Sequence, residues 1–399
     1  MLLLNPSDEN DSFEWMAAFG VNSEYKSTGD EQSFEKLITF LSSDKTTFGH
    51  FSYDLKNVIE KLHSTHSSGI DFPEICFFFP ELIARKSKGE IDVQSDNSEF
   101  IVQFFQQIGK PVENIPSENE VSLKPRTTKE EYLSNVNSIL QHIHRGDIYE
   151  MNYCIEFYAE NAKINPVETF KKLLDATAAP FSVLYKYDDQ WLLCASPERF
   201  LKKTGSSLIS QPIKGTRPRG KSEIEDQQLK EELFNDPKER SENVMIVDLV
   251  RNDLSKSAKK GSVKVEELFG IHTFKNVHQM ISTITAEMDE NIHPVEAIKN
   301  AFPMGSMTGA PKIRAMELAE KFENMKRGLY SGAVGYFTPE MDFDFNVVIR
   351  SIQYNQKTGY LSIMVGSAIT ANSDPEKEYQ ECLLKAKTLF EALGLNPMP

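Results

Sequence analysis

The chain has 399 residues, and its 44 basic and 59 acidic side chains give a net charge of −15. A chain this acidic repels nucleic-acid phosphates, so the composition excludes a general nucleic-acid-binding protein. Apolar residues make up 40% and charged residues 26%, as in ordinary folded proteins. No apolar run approaches the ~18 residues of a membrane span, and the N-terminus does not resemble a signal peptide.

The cysteines are few and widely separated. They lack the paired spacing of a zinc site or a disulfide framework, and they lie at Cys76, Cys154, Cys194 and Cys382. We therefore expect free thiols in a reducing compartment, and a cytoplasmic protein.

The first third of the chain gives mixed signals. Residues 1–81 alternate short apolar runs with polar turns, and residues 84–127, rich in Lys, Ser, Asn, Glu and Pro, predict a surface excursion. Within it, residues 100–105 are apolar and should dock as a short helix or strand. Thr128 and Glu131 then form a T-x-x-E capping box at the start of a helix. Its apolar positions recur at helical spacing, at Leu133, Val136, Leu140 and Ile143.

Strand patterns dominate the rest, with helices between them. Residues 181–187 and 191–195 predict a hairpin. Further strands are predicted at 277–285, 330–337, 345–352 and 360–370. Helices are predicted at 230–234, 239–256, 294–302 and 311–322, and from Pro375 to the C-terminal region. Groups of strands separated by helices predict an α+β fold with large antiparallel sheets.

Two predicted helices each carry carboxylates three residues apart on one face: Glu239 with Glu242, and Glu378 with Glu381. Four carboxylates that converge without His or Cys would suit a hard cation such as Mg²⁺. From spacing alone, two solvated and charged helix faces are the more common explanation.

Three further segments carry reactive residue types. Residues 211–220 place Lys214 near Arg217 and Arg219, and neighbouring cations help a lysine to lose its proton and act as a nucleophile; a basic surface loop is the alternative. Residues 305–312 are a glycine-rich turn that could hold an anion before a helix, or merely start it, and they lack Walker A spacing. Glu198 follows a strand and could point into a cleft, although a Glu–Arg pair is more often a surface ion pair.

Taken together, these segments resemble the chorismate-binding enzymes, a family that includes the large components of anthranilate and aminodeoxychorismate synthases, isochorismate synthase and salicylate synthase. The resemblance covers roughly residues 126–395 and is looser before them. Six motifs carry it in order, at residues 196–200, 212–216, 239–253, 305–312, 344–346 with 349–350, and 374–381.

The resemblance implies an anthranilate-synthase-like fold: two interleaved α/β layers whose antiparallel sheets form a sandwich, with the active site in the cleft between them. It also implies a shortened N-terminal region, 1–125, packed on a catalytic domain, 126–399. Glu242 and Glu381 would bind Mg²⁺ directly, and Glu239 and Glu378 would do so through water. The chorismate pocket would comprise Arg350, Tyr330 and Lys385 as grips on the carboxylates, with Thr308, His278 and the backbone around Gly366.

One position distinguishes members of the family that have different activities. The Pro-Ile-x-Gly-Thr motif has Lys in most aminodeoxychorismate synthases and Ala in anthranilate and isochorismate synthases, and here it has Lys214. The resemblance implies that Lys214 attacks C2 of chorismate while Glu198 protonates the departing C4 hydroxyl. Ammonia then enters at C4 and gives 4-amino-4-deoxychorismate, a precursor of para-aminobenzoate and folate.

Two departures accompany the resemblance. Glu150 stands where the water-using members have a lysine, which disfavours water as the nucleophile, but the aminating members usually have Gln there. Gly366-Ser367-Ala368 replaces a run that is usually richer in glycine. The motif by which larger relatives bind tryptophan has no match, so inhibition by tryptophan is not expected.

Ammonia needs a source. No glutamine-hydrolysing nucleophile is visible and the sequence ends at Pro399, so a separate glutamine amidotransferase subunit is expected. The alternatives are an anthranilate synthase component I, which releases pyruvate, and a non-catalytic chorismate-binding protein, which should have lost Glu198, Lys214 or a metal carboxylate. A nucleotide-binding protein would rest on residues 305–312 alone.

Overall fold

The computed structural model describes residues 1–6, 13–42, 44–107 and 119–396. Their strands are β1 (Leu2–Pro6), β2 (Trp15–Phe19), β3 (Ser23–Ser27), β4 (Thr47–Phe51), β5 (Ile75–Phe79), β6 (Leu82–Ser87), β7 (Glu90–Gln94), β8 (Lys124–Pro125), β9 (Glu150–Ala159), β10 (Phe181–Tyr187), β11 (Gln190–Ser196), β12 (Arg199–Thr204), β13 (Ser207–Gln211), β14 (Ile213–Pro218), β15 (Lys264–Thr273), β16 (Val277–Glu287), β17 (Gly309–Ala310), β18 (Ala333–Phe337), β19 (Phe343–Asn346), β20 (Ser351–Asn355) and β21 (Tyr360–Thr370).

The helices of the described residues lie between these strands. They are α1 (Ser33–Leu41), α2 (Lys56–Ile59), α3 (Ser98–Gln107), α4 (Lys129–His144), α5 (Pro166–Thr177), α6 (Glu223–Asn235), α7 (Pro237–Ser255), α8 (Pro294–Ala301), α9 (Lys312–Phe322) and α10 (Pro375–Ala392). None of the described helices is both long and apolar enough to cross a membrane.

The strands form two sheets, and their pairings are antiparallel. The first sheet has the order β17-β9-β21-β20-β11-β10-β1-β2-β6-β7, with β8 beside β9. The second has the order β14-β16-β13-β12-β19-β18-β4-β5-β3, with β15 beside β16. The predicted α+β class with large antiparallel sheets is therefore confirmed.

The sheets pack face to face through a shared apolar cluster. It joins Leu2 and Val183 of the first sheet to Phe48, Phe78 and Val334 of the second. A second cluster packs α4, α5 and α10 against the outer face of the first sheet, and a third packs α1, α7 and α8 against the second. Helices thus cover both sides of the sandwich, as the α/β layers of the resemblance imply.

Strands from the first 125 residues join both sheets: β1, β2, β6, β7 and β8 lie in the first, and β3, β4 and β5 in the second. The division into residues 1–125 and 126–399 stays a prediction. Residues 108–118 of the predicted surface excursion lie outside the described residues. The first part of the excursion, up to residue 107, forms regular elements rather than an irregular loop. β6 and β7 form a hairpin on the edge of the first sheet, and α3 covers the apolar run 100–105.

Several helices and strands lie where local sequence patterns predicted them. Thr128 caps α4 as predicted, and the hairpin of β10 and β11 is confirmed. The predicted strand 345–352 is wrong: it is two strands, β19 and β20, which belong to different sheets. Arg350, with φ of 52°, lies in the left-handed region just before β20 and turns the chain from one sheet to the other. All four cysteines are free, as predicted, and the structure also buries them.

Candidate active site

Helices α7 and α10 begin in the same way and carry the acidic residues near their N-termini. Asp236 accepts hydrogen bonds from two backbone N–H groups of the first turn of α7, and Asp374 accepts one in α10. Proline follows each cap, at Pro237 and Pro375, where its missing N–H costs nothing. Glu239 and Glu378 therefore lie in the first turns of two helices, whose N-termini attract anions, and Glu242 and Glu381 lie about one turn further on.

The two helices bring their carboxylates together around Lys238. Its Nζ lies 3.0 Å from Oε1 of Glu378 and 3.8 Å from Oε1 of Glu242. Burial raises the pKa of Glu239, and the nearby Glu242 carboxylate raises it further. Glu381 is partly exposed and pairs with Lys385 at 2.7 Å. The carboxylates predicted at separate positions of the sequence thus form one acidic cluster.

The donors of this cluster fit a hard cation. They are all carboxylate oxygens, which Mg²⁺ prefers, and Oε2 of the buried Glu378 has no hydrogen-bond partner among the described residues. Ammonium groups, however, lie among the carboxylates. Within the described ranges, no three His, Cys, Asp or Glu side chains are arranged as a ready set of metal ligands. The residues fit Mg²⁺ chemically, and binding it would require their side chains to rearrange.

Lys214 lies on β14, at the side of this cluster. Its side chain is 11% exposed, and its Nζ lies 3.1 Å from Oε1 of Glu150 and 3.5 Å from Oε2 of Glu242. Burial opposes its charge, but these two carboxylates outweigh burial and raise the pKa of the amine. The prediction that Arg217 and Arg219 lower this pKa is wrong, because they pair with Asp236 and Asp226 instead.

Glu198 lies in the turn between β11 and β12. Its backbone N–H donates to Ser196 Oγ, and its carbonyl accepts from the N–H of Val347, so the turn is fixed. Burial raises the pKa of the carboxyl group to about 7, although the Ser306 hydroxyl and the Lys214 ammonium partly oppose this. A carboxyl group that is partly protonated at neutral pH can serve as a general acid.

Arg350, Tyr330 and Lys385 lie close together. The guanidinium of Arg350 donates a long hydrogen bond, 3.4 Å, to the carbonyl of Lys385, and Lys385 Nζ donates to the carbonyl of Gly366 at 2.8 Å. Burial lowers the pKa of Arg350, opposed by its neighbours Tyr330 and Glu381. A guanidinium has five N–H donors, so Arg350 can grip a carboxylate.

Gly366 is required by its surroundings. A Cβ atom there would lie 2.7 Å from Sγ of Cys154 and 2.8 Å from Oδ1 of Asn152, closer than such contacts allow. Thr308 is buried, and its hydroxyl donates to the carbonyls of Met304 and Gly305. The glycine-rich turn is thereby folded onto β9, where Asn152 N–H donates to the carbonyl of Thr308.

Two predicted residues are engaged in other contacts. His278 is buried in β16, with Nδ1 3.0 Å from Thr273 Oγ1 and Nε2 2.9 Å from Asp226 Oδ1. Its place in the substrate pocket stays a prediction. Lys312 pairs with Asp253 at 2.6 Å and donates to the carbonyl of Pro303. Because Lys312 holds the turn together, it does not present a cation to a nucleotide phosphate, which argues against the nucleotide-binding alternative.

The sequence left three contributors out of the predicted site. Glu150 was noted only as a departure, yet it is the closest carboxylate to Lys214. Lys238 had a visible signal, because it lies four residues before Glu242 on the same helix. Arg327 is buried and donates to the carbonyls of Met307 and Asn152, which fixes the glycine-rich turn against β9. No local pattern identifies Arg327, since its partners are far away in sequence.

Known proteins resemble this chain in sequence and in fold. A family model described as chorismate binding enzyme matches residues 6–391. Aminodeoxychorismate synthase component 1 of Bacillus subtilis is 32% identical over 363 residues, which are 87% of this chain and 77% of that protein. Anthranilate synthase component 1 of Thermus thermophilus is also 32% identical, over 358 residues and the same shares of both chains. Sequence identity therefore does not separate these two activities.

A plant relative and a solved structure extend the comparison. The chloroplastic aminodeoxychorismate synthase of Arabidopsis thaliana is 34% identical over 388 residues, 91% of this chain but only 42% of its own length. The crystal structure of anthranilate synthase component I from Streptococcus pneumoniae superposes with a TM-score of 0.85, at 24% identity, over 96% of this chain and 93% of that one. The chain belongs to the family of chorismate-binding enzymes, and its relatives include both aminodeoxychorismate and anthranilate synthases.

Proposed function

We propose that the chain is component I of an aminodeoxychorismate synthase, which converts chorismate and ammonia to 4-amino-4-deoxychorismate. The observation that carries the proposal is the buried amine of Lys214, held 3.1 Å from Glu150 and close enough to Glu198 for each to shift the pKa of the other. An amine beside a carboxyl group with a pKa of about 7 supplies a nucleophile and an acid in one cleft.

The reaction divides into two substitutions. The neutral amine of Lys214 forms a bond to C2, both conjugated double bonds of the ring shift, and the C4–O bond breaks. Glu198 gives its proton to the departing hydroxyl, which leaves as water. Ammonia then forms a bond to C4, both double bonds shift back and the bond between C2 and Lys214 breaks. The proton that the new C4 nitrogen loses returns Glu198 to its acid form, so no net proton is needed.

Lys214 must lose a proton before its first attack. Because Glu150 and Glu242 raise the pKa of its amine, the ammonium form is favoured until another group accepts that proton. Oε1 of Glu150 is the nearest acceptor, and burial raises the pKa of this carboxyl group above its ordinary value. Oε2 of Glu150 is buried without a hydrogen-bond partner among the described residues. We therefore assign Glu150 as the proton acceptor for Lys214.

The acidic cluster would hold Mg²⁺, with Glu242 and Glu381 as direct ligands and Glu239 and Glu378 acting through water. When bound, the cation would neutralise the ring carboxylate of chorismate and draw electron density from the ring. Arg350, Tyr330 and Lys385 would hold the substrate carboxylates, and Thr308, His278 and the backbone around Gly366 would complete the pocket. Holding the ring close to Lys214 and Glu198 makes the attack by Lys214 and the proton transfer from Glu198 effectively intramolecular.

A separate glutamine amidotransferase would supply ammonia, since the relatives from B. subtilis and T. thermophilus are each named component 1. The product would serve para-aminobenzoate and folate synthesis in the cytoplasm. Anthranilate synthase component I is the second candidate, because the T. thermophilus relative is equally similar. Lys214 favours the first, since anthranilate synthases usually have Ala at this position.

Product analysis decides between the two. The purified chain is incubated with chorismate, MgCl₂ and an ammonium salt, and the products are separated by chromatography. We expect 4-amino-4-deoxychorismate as the main product, without equimolar pyruvate. Anthranilate and pyruvate as the main products would replace the first proposal with the second. No conversion of chorismate, with the chain folded and Mg²⁺ present, would refute both.

A further inference from the structure

One lysine of the acidic cluster has no part in the proposed reaction. Lys238 is in the first turn of α7 and reaches across to α10, where its Nζ lies 3.0 Å from Oε1 of Glu378. The same ammonium lies 3.8 Å from Oε1 of Glu242 on its own helix. It therefore joins the two helices that carry the proposed metal ligands, through one carboxylate of each.

The other two lysines of the site differ from Lys238 in position. Lys214 is 11% exposed and faces Glu150, and Lys385 is 28% exposed and donates to the carbonyl of Gly366. Lys238 is 45% exposed and approaches the cluster from the solvent side. A long side chain in this position can move its ammonium into water while its stem stays on the surface. Lys238 can thus leave the cluster without unfolding its surroundings.

Mg²⁺ and this ammonium draw on the same two carboxylates, but they require carboxylate oxygens at different distances. An ammonium holds carboxylate oxygens about 3 Å away, whereas Mg²⁺ requires them at about 2.0–2.1 Å in a near-octahedral arrangement. Oε1 of Glu378 already accepts hydrogen bonds from Lys238 and from Ser373 Oγ at 2.8 Å, and its buried Oε2 is without a partner among the described residues. Only one of the two carboxylate oxygens of Glu378 therefore has hydrogen-bond partners among the described residues, and a cation can bind the other.

We infer that Lys238 is an internal counter-cation of the metal site, which holds α7 and α10 together and competes with Mg²⁺ for Glu242 and Glu378. This inference rests on the metal site of the proposed function. Lys238 lowers the affinity for Mg²⁺ and protects the fold from repulsion between the carboxylates. Loss of its charge should therefore strengthen Mg²⁺ binding and make the fold more dependent on the metal.

The test measures metal binding and stability. Chelator-treated wild-type protein, Lys238→Met and Lys238→Gln are titrated with MgCl₂ by calorimetry, and melting temperatures are recorded in EDTA and in saturating MgCl₂. Lys238→Arg keeps the charge. Lys387→Met is the matched surface control, because Lys387 of α10 is 51% exposed and makes a similar helical ion pair at 3.9 Å to Glu391.

We expect Lys238→Met and Lys238→Gln to bind Mg²⁺ at least about tenfold more tightly, since the unit positive charge that lies 3.0 Å from Glu378 and 3.8 Å from Glu242 is removed. Their melting temperature should rise more on adding Mg²⁺ than that of the wild type, and both control variants should match the wild type. A variant that folds only with Mg²⁺ would also support the inference. Equal or weaker Mg²⁺ binding by both neutral variants would overturn it. Absence of Mg²⁺ binding by the wild type would instead remove the metal site of the proposed function, and the inference with it.

Discussion

Glu198→Gln should slow the reaction strongly and at the same time stabilise the fold, by more as the pH rises. The side chain is 5% exposed, and burial raises its pKa from the ordinary value of 4.5 to about 7. A carboxyl group with a raised pKa in the folded state prefers the protonated form there. Its ionisation therefore opposes folding, and this cost grows as the pH rises from about 4.5 and is complete above about 7.

The size of the effect follows from the shift. Each pKa unit is worth about 1.4 kcal/mol, so a rise from 4.5 to about 7 makes the ionised side chain cost the fold about 3 kcal/mol at pH 8.5. At pH 6 the cost is smaller, about 2 kcal/mol, because the folded form is still largely protonated. Gln has nearly the same shape and does not ionise. The free energy of unfolding of Glu198→Gln, relative to that of the wild type, should thus increase by about 1 kcal/mol between pH 6 and pH 8.5, which means that the variant gains relative stability.

Denaturant unfolding at a series of pH values measures this difference, with Glu90→Gln on the exposed strand β7 as the control. The same samples are assayed with chorismate and ammonium. Loss of the general acid should lower turnover by about 10²–10⁴-fold, and wild-type turnover should fall as the pH rises through about 7, where Glu198 loses its proton. A Glu198→Gln variant whose relative stability is independent of pH would refute the raised pKa, and one that keeps its turnover would refute the catalytic role.

Three further predictions concern the other parts of the site. Wild-type protein that is quenched with chorismate in the absence of ammonia should show an adduct on the Lys214 peptide by mass spectrometry. Lys214→Ala should lose this adduct and shift residual amination towards anthranilate. Full 4-amino-4-deoxychorismate synthesis by this variant would mean that Lys214 only positions the substrate. Glu242→Ala and Glu381→Ala should abolish turnover at ordinary MgCl₂ concentrations. Glu239→Ala should reduce turnover less, because the proposed contact of Glu239 with Mg²⁺ passes through water. Near wild-type rates for Glu381→Ala would show that the metal site is misplaced. The chain alone should use ammonium but not glutamine until an amidotransferase is added, and efficient glutamine-dependent turnover without a partner would contradict this.

The elements that the sequence predicted well have local causes. The Asp–Pro pair before α10 and the capping threonine before α4 act within one turn of the helix they start, so they can be read from a few residues. The strand-like pattern at 345–352 concealed two strands because both are largely buried, and burial alone does not tell which sheet a strand joins. The turn between them at Arg350 depends on tertiary contacts rather than on a turn signal.

The candidate site divides in the same way. Spacing along α7 and α10 placed carboxylates in pairs, but the convergence of the two pairs depends on how the helices pack. The pKa of Lys214 was predicted to be lowered, whereas the structure raises it. The prediction relied on Arg217 and Arg219, which are neighbours in sequence, but the neighbour in space is Glu150. The raised pKa of Glu198 likewise results from burial beneath elements that the sequence does not position.

The charges of the site explain why metal and substrate should bind together. Six carboxylates lie in the candidate site, at Glu150, Glu198, Glu239, Glu242, Glu378 and Glu381, and four cations oppose them, at Lys214, Lys238, Lys385 and Arg350. With all of them ionised, the site has two negative charges in excess, and with Glu198 protonated, as its role as general acid requires, it has one. Either excess disfavours binding of the carboxylates of chorismate, and a divalent cation held by the acidic cluster would remove it. The balance of charge therefore supports the Mg²⁺ proposed for this cluster, as do the carboxylate oxygens that line it.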